Sequence, residues 1–463
     1  MISVTLAWIA EAVGGQLVNQ SVTVDKVSTD TRGDLEGALF IALRGQHFDA
    51  HRFVNQAVER GAKALLVEQQ QPLSIPQVVV ADTRHALGLL GAAVKREVQP
   101  KTVAITGSNG KTTVKEMIAT IMRQKYSVLA TKGNLNNDIG VPLTLLALQP
   151  EHQIAVIEMG ANHPGEIAYT TQLAQPDVAI LNNVSAAHIE GFGSVYGVAR
   201  AKTEIFKGLP EQGIGIVSAD SEYLPCWKNA LAKHQLLTTS DQQVADVYGS
   251  EIELGDDGMV RFTLHANQQH QAVALPLPGR HNVRNALSAA AACLALGCDL
   301  ETIATGLASM KAVQGRLNII QLMPGVRLID DTYNASVAST KAALDLLANY
   351  SGYRILVLGD MGELGPDARA YHEEIGAHGI AVGIDNLYTL GVLSQSASEV
   401  FNGHGGKHFS TLSQLIDALS ERIAEKPEQG ITILVKGSRA SHMERVVTVL
   451  QEHYQESEGQ HAC

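Results

Sequence analysis

The chain has 463 residues, enough for two to four domains at about 100–200 residues each. Hydrophobic residues make up 45% and charged residues 18%, so each domain can bury a core. A formal net charge of −12 with no basic block excludes a nucleic-acid backbone as partner, yet a few local cations would still hold a small anionic substrate.

The first residues, Met1 to Trp8, have no basic start and no long apolar run, so they do not read as a signal peptide. No segment offers the ~18 consecutive apolar residues of a membrane span. Leu6, Ile9, Ala10 and Val13 fall at helical spacing before a stop at Gly14-Gly15. Short strands are predicted at 22–27, 38–43, 64–67 and 78–81, with a helix through Phe53, Ala57 and Val58 that ends at Gly61. Residues 1–84 therefore predict a small α/β domain. A helix over 83–97 leads through Pro100 into the next region.

Residues 85–311 alternate apolar strands and helices. Strands at 103–106, 154–159, 178–182 and 214–217 are continuous apolar runs, as a parallel sheet covered on both faces requires. Period-2 alternation over 246–278, around Asp256-Asp257-Gly258, predicts appended antiparallel strands. An Ala-rich helix is predicted over 282–296. Residues 312–463 predict a second open α/β sheet, Rossmann-like, with strands at 326–329, 354–358, 387–390 and 431–435 but no Gly-x-Gly-x-x-Gly fingerprint. Beyond about Gln451 the apolar residues give way to Glu, Gln, Ser and Gly, and an unstructured tail is expected. The four cysteines (Cys226, Cys293, Cys298 and Cys463) show no metal-ligand spacing and fit a reducing, cytoplasmic compartment.

Chemistry concentrates first at Thr106-Gly107-Ser108-Asn109-Gly110-Lys111-Thr112-Thr113, between a buried strand and a helix. Glycines let backbone N–H groups turn toward phosphate oxygens, and the helix N-terminus adds partial positive charge. Lys111 would reach the β- and γ-phosphates, and the Thr112 hydroxyl would face Mg2+. The general phosphate-loop spacing would place a glycine at Ile105, so this loop is a shortened variant that starts at Gly107. Glu158 ends one predicted strand and His188 follows another, both at the edge where open α/β sheets bind ligands. A carboxylate there can hold Mg2+ or simply form a structural ion pair; a lone His is more often structural, and Lys202 taken alone is an ordinary surface cation.

Together these segments resemble the Mur ligase family over essentially the whole chain. The motifs stand in family order: the loop at 106–113, Asn134 with Asn136-Asn137-Asp138, Glu158-Met159-Gly160, His188, Lys202, Gly279-Arg280-His281-Asn282 with Asn285, Gly315-Arg316, and Asp330-Asp331 with Tyr333-Asn334. Segments 40–51 and 358–365, with His372, point within the family to dipeptide addition, and the Asp-Asn-Pro-Arg segment of an amino-acid-adding relative is absent. The implied reaction joins UDP-N-acetylmuramoyl-tripeptide and D-alanyl-D-alanine at the expense of ATP, with Mg2+, in a protein expected to be a monomer.

The resemblance also implies roles. Lys202, as a carbamate, would join Glu158, His188 and Thr112 around the metal. Asn282, Asn285, Arg316 and Asp331 would contact ATP beside the loop residues Gly107, Ser108, Asn109, Gly110, Lys111, Thr112 and Thr113. Thr29, Asp30, Arg32, Arg44 and Gly45 would face the UDP end, and Asn134 and Asn137 the muramoyl peptide. Tyr333, Asn334 and Ser336 would lie near the dipeptide. Ala335-Ser336-Val337 stands where many members carry Ala-Asn-Pro. Lys436-Gly437-Ser438-Arg439 either helps position the dipeptide or is a basic helix start.

Overall fold

The structure, a computed structural model, describes residues 1–460 except 46–47, 187–188, 256–258 and 426–427, with side chains through Tyr454. Among the described residues there are three sheets, of five, nine and six strands, beside one two-stranded ribbon.

The N-terminal sheet runs in the order Gln16–Val18, Gln77–Val79, Ala64–Val67, Leu39–Ile41, Val27–Ser28, parallel except for its first pair. The helix Leu6–Val13 buries Leu6, Ile9, Ala10 and Val13 and stops at Gly14, whose φ of 64° is the left-handed cap expected there. Two details differ from the sequence reading. The strand expected over 22–27 is split: Thr23–Val24 pairs with Val4–Thr5, and Val27–Ser28 joins the sheet. Around Phe53 a 3-10 turn, Ala50–Phe53, precedes the helix Val54–Glu59, and Phe53 faces outward to stack on Phe48 with ring centroids 5.6 Å apart.

The central sheet is ordered Gln269–Leu275, Val260–Ala266, Val247–Leu254, Gln235–Ser240, Ile214–Ser218, Val178–Leu181, Lys101–Thr106, Ile154–Glu158, Val128–Ala130. Its strands are parallel up to Val247–Leu254, and the last three form the appended antiparallel meander. The expected turn at 256–258 lies outside the described residues, but Leu254 pairs with Val260 across it. Ile154–Glu158 is buried at every position, as is the interior of Lys101–Thr106. The long helix Arg280–Ala295 packs its alanine face on this sheet and on the helix Lys111–Met122. Cys293 and Cys298 sit in that core.

The C-terminal sheet runs Asn318–Met323, Val326–Asp331, Ile431–Lys436, Tyr353–Gly359, Asn386–Leu390, Gly406–Phe409, parallel except for the antiparallel first strand. The last helix, Glu444–Gln460, continues through the tail expected to lack structure. Buried Leu450, with Tyr454 one turn on, packs against the sheet, and Glu and Gln are good helix formers, so a polar composition does not stop the helix.

Candidate active site

The phosphate loop leaves the strand Lys101–Thr106 at its C-terminal end and re-enters as the helix Lys111–Met122. Ile105, where the general spacing wants glycine, is a fully buried strand residue paired with Glu158, so the strand extends into the space a longer loop would occupy. Gly110 caps the helix start at φ 78°. A Cβ there would stand 2.3 Å from Asn285 Oδ1 and 2.7 Å from Asn182 Nδ2, so this position needs glycine for space as well as for conformation. The loop is pinned from outside. Asn183 Oδ1 accepts from Asn109 N–H at 2.8 Å, Asn182 Nδ2 donates to Asn109 O at 3.0 Å and to Asn285 Oδ1 at 2.9 Å, and Ser288 Oγ donates to Asn182 Oδ1 at 2.9 Å. Lys111 folds back so that Nζ donates to Gly107 O at 2.8 Å. Burial lowers its pKa, opposed by the nearby Glu158.

Glu158 is 2% exposed and fully engaged. It accepts from Thr112 Oγ1 at 2.8 Å and Asn136 Nδ2 at 2.8 Å, while its own N–H donates to Thr131 Oγ1 at 2.9 Å. Lys202, on the helix Val195–Thr203, is 1% exposed, and among the described residues it has no hydrogen-bond or ion-pair partner. Burial, with repulsion from Lys111, holds its pKa well below the usual lysine value, so the amine is destabilised as a cation. His188 lies outside the described residues.

The C-terminal lobe closes over this cluster. Arg316 Nη2 donates to Thr112 Oγ1 at 2.9 Å, and its guanidinium stacks on Tyr333, 4.3 Å from the ring centre. Ser336 caps the helix Val337–Ala348 and donates to Asn109 Oδ1 at 2.9 Å. Lys436 is 2% exposed and donates to Asp331 Oδ2 at 2.5 Å and Asn334 O at 3.0 Å. Burial raises the Asp331 carboxyl, against the pull of Lys436 and then Arg316.

These groups line one cavity of about 1280 Å3 between the central and C-terminal lobes. Of the residues singled out from sequence, Ser108 to Lys111, Thr113, Asn134, Asn137, Glu158, Lys202, Asn282, Asn285, Arg316, Asp331, Tyr333, Asn334 and Ser336 all line it; Gly107 and Thr112 do not, but bond to Lys111 and to Glu158 and Arg316, which do. Asn137 Oδ1 also accepts from the Gly140 N–H at 2.8 Å, at the start of the helix Gly140–Leu146. The N-terminal candidates do not line it. Asp30 and Arg32 pair with each other on an exposed turn, with the Asp30 carboxyl held at about 2 by that arginine, and Arg44 reaches Glu68 at 3.5 Å. Thr29 and Gly45 flank them.

Sequence reasoning missed several members. From sequence Asn182 reads only as the end of a strand, Asn183 and Ser185 carry no role, and Asn136 stands inside a motif without one; the strand stops at Leu181, and Asn182, Asn183 and Ser185 follow it. Asp241, its side chain fully buried, accepts from Arg280 Nε at 2.9 Å and Arg284 Nε at 2.8 Å, which fixes the helix that carries Asn282 and Asn285. His281, beside it, is held neutral by burial and by Lys436, with its pKa lowered to about 4.

A phosphate loop that faces a buried carboxylate, covered by a second α/β lobe, defines a ligase that consumes ATP, and this chain belongs to the Mur ligase family. The family's middle-domain model matches residues 105–293, its glutamate-ligase domain model 315–439 and its catalytic-domain model 23–126. Within the family the chain is similar to the UDP-N-acetylmuramoyl-tripeptide–D-alanyl-D-alanine ligase of Escherichia coli, with 48% identity over 98% of this chain and 99% of that protein. Among solved structures, one from Acinetobacter baumannii described as MurF superposes with a TM-score of 0.92 at 39% identity, covering 97% of this chain and 99% of that one. A MurF ligase of Thermotoga maritima in complex with ADP gives a TM-score of 0.84 at 28% identity over 93% and 98%.

Proposed function

We propose that this chain couples ATP hydrolysis to amide formation between the tripeptide carboxylate of UDP-N-acetylmuramoyl-tripeptide and the amine of D-alanyl-D-alanine, in the synthesis of a peptidoglycan precursor. The observation that carries the reading is the meeting, in one cavity, of Lys111 and the loop N–H groups, the buried Glu158 and the C-terminal lobe's Arg316 and Asp331. Residues 1–84, 85–311 and 312–463 would act as lobes for the UDP end, the nucleotide and the dipeptide. Thr29, Asp30, Arg32, Arg44 and Gly45 would meet the first, and Tyr333, Asn334 and Ser336 the last. The enzyme would work as a cytoplasmic monomer. Among the described residues no helix is long and apolar enough to cross a membrane.

A carboxylate cannot be attacked by an amine until it carries a good leaving group. Its oxygen would attack the γ-phosphorus of ATP and release ADP, giving an acyl phosphate. The dipeptide amine would then attack the acyl carbon, and phosphate and one proton would leave. Negative charge gathers in both steps, and Lys111, Arg316 and the loop N–H groups offset it.

The buried oxygen donors Glu158 and Thr112 suit a hard divalent cation. Lys202 suits it only after its amine takes up CO2 to become a carbamate, a reaction of the neutral amine that its environment favours. Mg2+ held by Glu158, Thr112 and carbamylated Lys202, with His188, would supply charge neutralisation at the phosphates. The chain's own residues position and shield: Asp331 would hold the ribose, Asn282 and Asn285 the nucleotide, and the covering lobe would keep water from the acyl phosphate. The deciding experiment mixes the protein with ATP, the UDP-linked tripeptide and a panel of amines. Phosphate release that requires D-alanyl-D-alanine is expected; release with a single amino acid instead would overturn the assignment.

A further inference from the structure

A second cavity, of about 510 Å3, lies behind the helix that carries Lys202. The helix Val195–Thr203 has two faces. Val198, Ala201 and Lys202 are turned into the core, and Tyr196, Ala199, Arg200 and Thr203 line the second cavity. Phe206 and Tyr223 also line it, with Cys226 and Ala230 of the helix Leu224–Ala230.

The charges in this cavity do not cancel. Glu204 is the acid in its lining, and its two oxygens already accept the N–H of Gly165 at 3.0 Å, with Ala168 N–H at 3.2 Å. Arg200 and Lys207 are exposed cations, and among the described residues neither has a hydrogen-bond or ion-pair partner. Two cations against one carboxylate therefore leave a net positive edge on a pocket lined by Tyr196, Phe206 and Tyr223. Rings offer stacking surface and the cations draw negative charge. The volume lies within the roughly 300–1,000 Å3 of small-molecule sites.

Position gives the pocket a route to the reaction centre. Tyr223 lines both cavities, and Tyr223 packs on fully buried Trp227 at 6.2 Å between ring centres, so the shared wall is anchored. Lys202 sits on the other side of the same short helix. We propose that this second cavity is an effector site for an aromatic anion, a planar ring bearing a carboxylate, sulfonate or phosphate, and that its occupancy alters nucleotide affinity through Tyr223 and the Lys202 helix.

The coupling must act in both directions, because linkage between two binding sites is reciprocal. The probe is 8-anilino-1-naphthalenesulfonate, followed by its fluorescence on the full chain with and without a non-hydrolysable ATP analogue. One saturable site that persists when the analogue is bound is expected. Saturating probe should also shift the analogue's affinity by about fivefold or more, within the usual range of coupling between sites. The double variant Arg200→Glu, Lys207→Glu changes exposed side chains only, should melt like the parent, and should weaken probe binding by about tenfold. Displacement of the probe by the analogue, unchanged probe binding in the double variant, or an analogue affinity indifferent to the probe would each overturn the proposal.

Discussion

Replacing Lys436 by Met isolates a buried charge and offers a quantitative test. Lys436 is 2% exposed and spans from Asp331 Oδ2, at 2.5 Å, to the Asn334 carbonyl, at 3.0 Å. Methionine keeps most of the volume but leaves a carboxylate with its nearest cation removed, a change that costs about 3–5 kcal/mol when one partner of a buried pair is lost. In a lobe of this size each kcal/mol moves the melting midpoint by roughly 2–4 °C, so the C-terminal transition should fall by about 6–20 °C at neutral pH. The sign of the pH dependence follows from Asp331. Its pKa is already raised by burial, and loss of Lys436 raises it further. A carboxyl with a raised folded-state pKa is best tolerated below its unfolded value and costs stability as pH rises through the folded one. The deficit should therefore be largest at neutral and alkaline pH and shrink on acidification, and adding Asp331→Asn to the same chain should recover most of it. Melts followed by circular dichroism from pH 5 to pH 8 measure this. A variant as stable as the parent at pH 7.5, or a deficit that widens toward acid, refutes the argument.

Gly110→Ala places a methyl carbon 2.3 Å from Asn285 Oδ1 at a φ of 78°, so ATP-analogue affinity measured by calorimetry should fall by about tenfold or more, since strain of roughly 1–2 kcal/mol is added to the clash. Lys202→Met removes an amine whose depressed pKa makes its protonation in the fold unfavourable. With CO2 excluded, the variant should be more stable than the parent, by a margin that grows as pH falls from the ordinary lysine value toward the depressed folded value and levels off below it, yet turnover should be lost and partly restored by short carboxylic acids. Ser336→Ala deletes a helix cap together with the Asn109 contact, so denaturant melts should show a loss of about 1 kcal/mol, with weaker nucleotide binding in calorimetry.

What the sequence revealed divides along physical lines. Ile154–Glu158 and Ile431–Lys436 are central, buried on both faces and continuously apolar, so their composition alone identifies them. Gln235–Ser240 and Asn318–Met323 escaped notice because their side chains are half exposed and their pattern is mixed, and only pairing with a neighbour makes them strands. The same holds in the site. Lys111 and Thr112 are legible because loop, strand and helix are consecutive. Asp241 and Asn182 act through residues 39 to 106 positions away, a relation no local pattern carries. Arg316 was placed near the nucleotide by resemblance to the family, but its hold on Thr112 required the fold.

That hold has a consequence for how tightly a nucleotide can bind. The Thr112 hydroxyl gives its proton to Glu158 and one lone pair to Arg316, while Lys111 spends itself on the Gly107 carbonyl. In the proposed nucleotide role, an arriving triphosphate would exchange partners with Thr112 and Lys111, which are already bonded, and would offer an acceptor to the buried Arg316 Nε, which among the described residues has no hydrogen-bond partner. On the same proposal, departure of spent nucleotide would let Thr112, Arg316 and Lys111 return to these bonds, which would offset part of the cost of release.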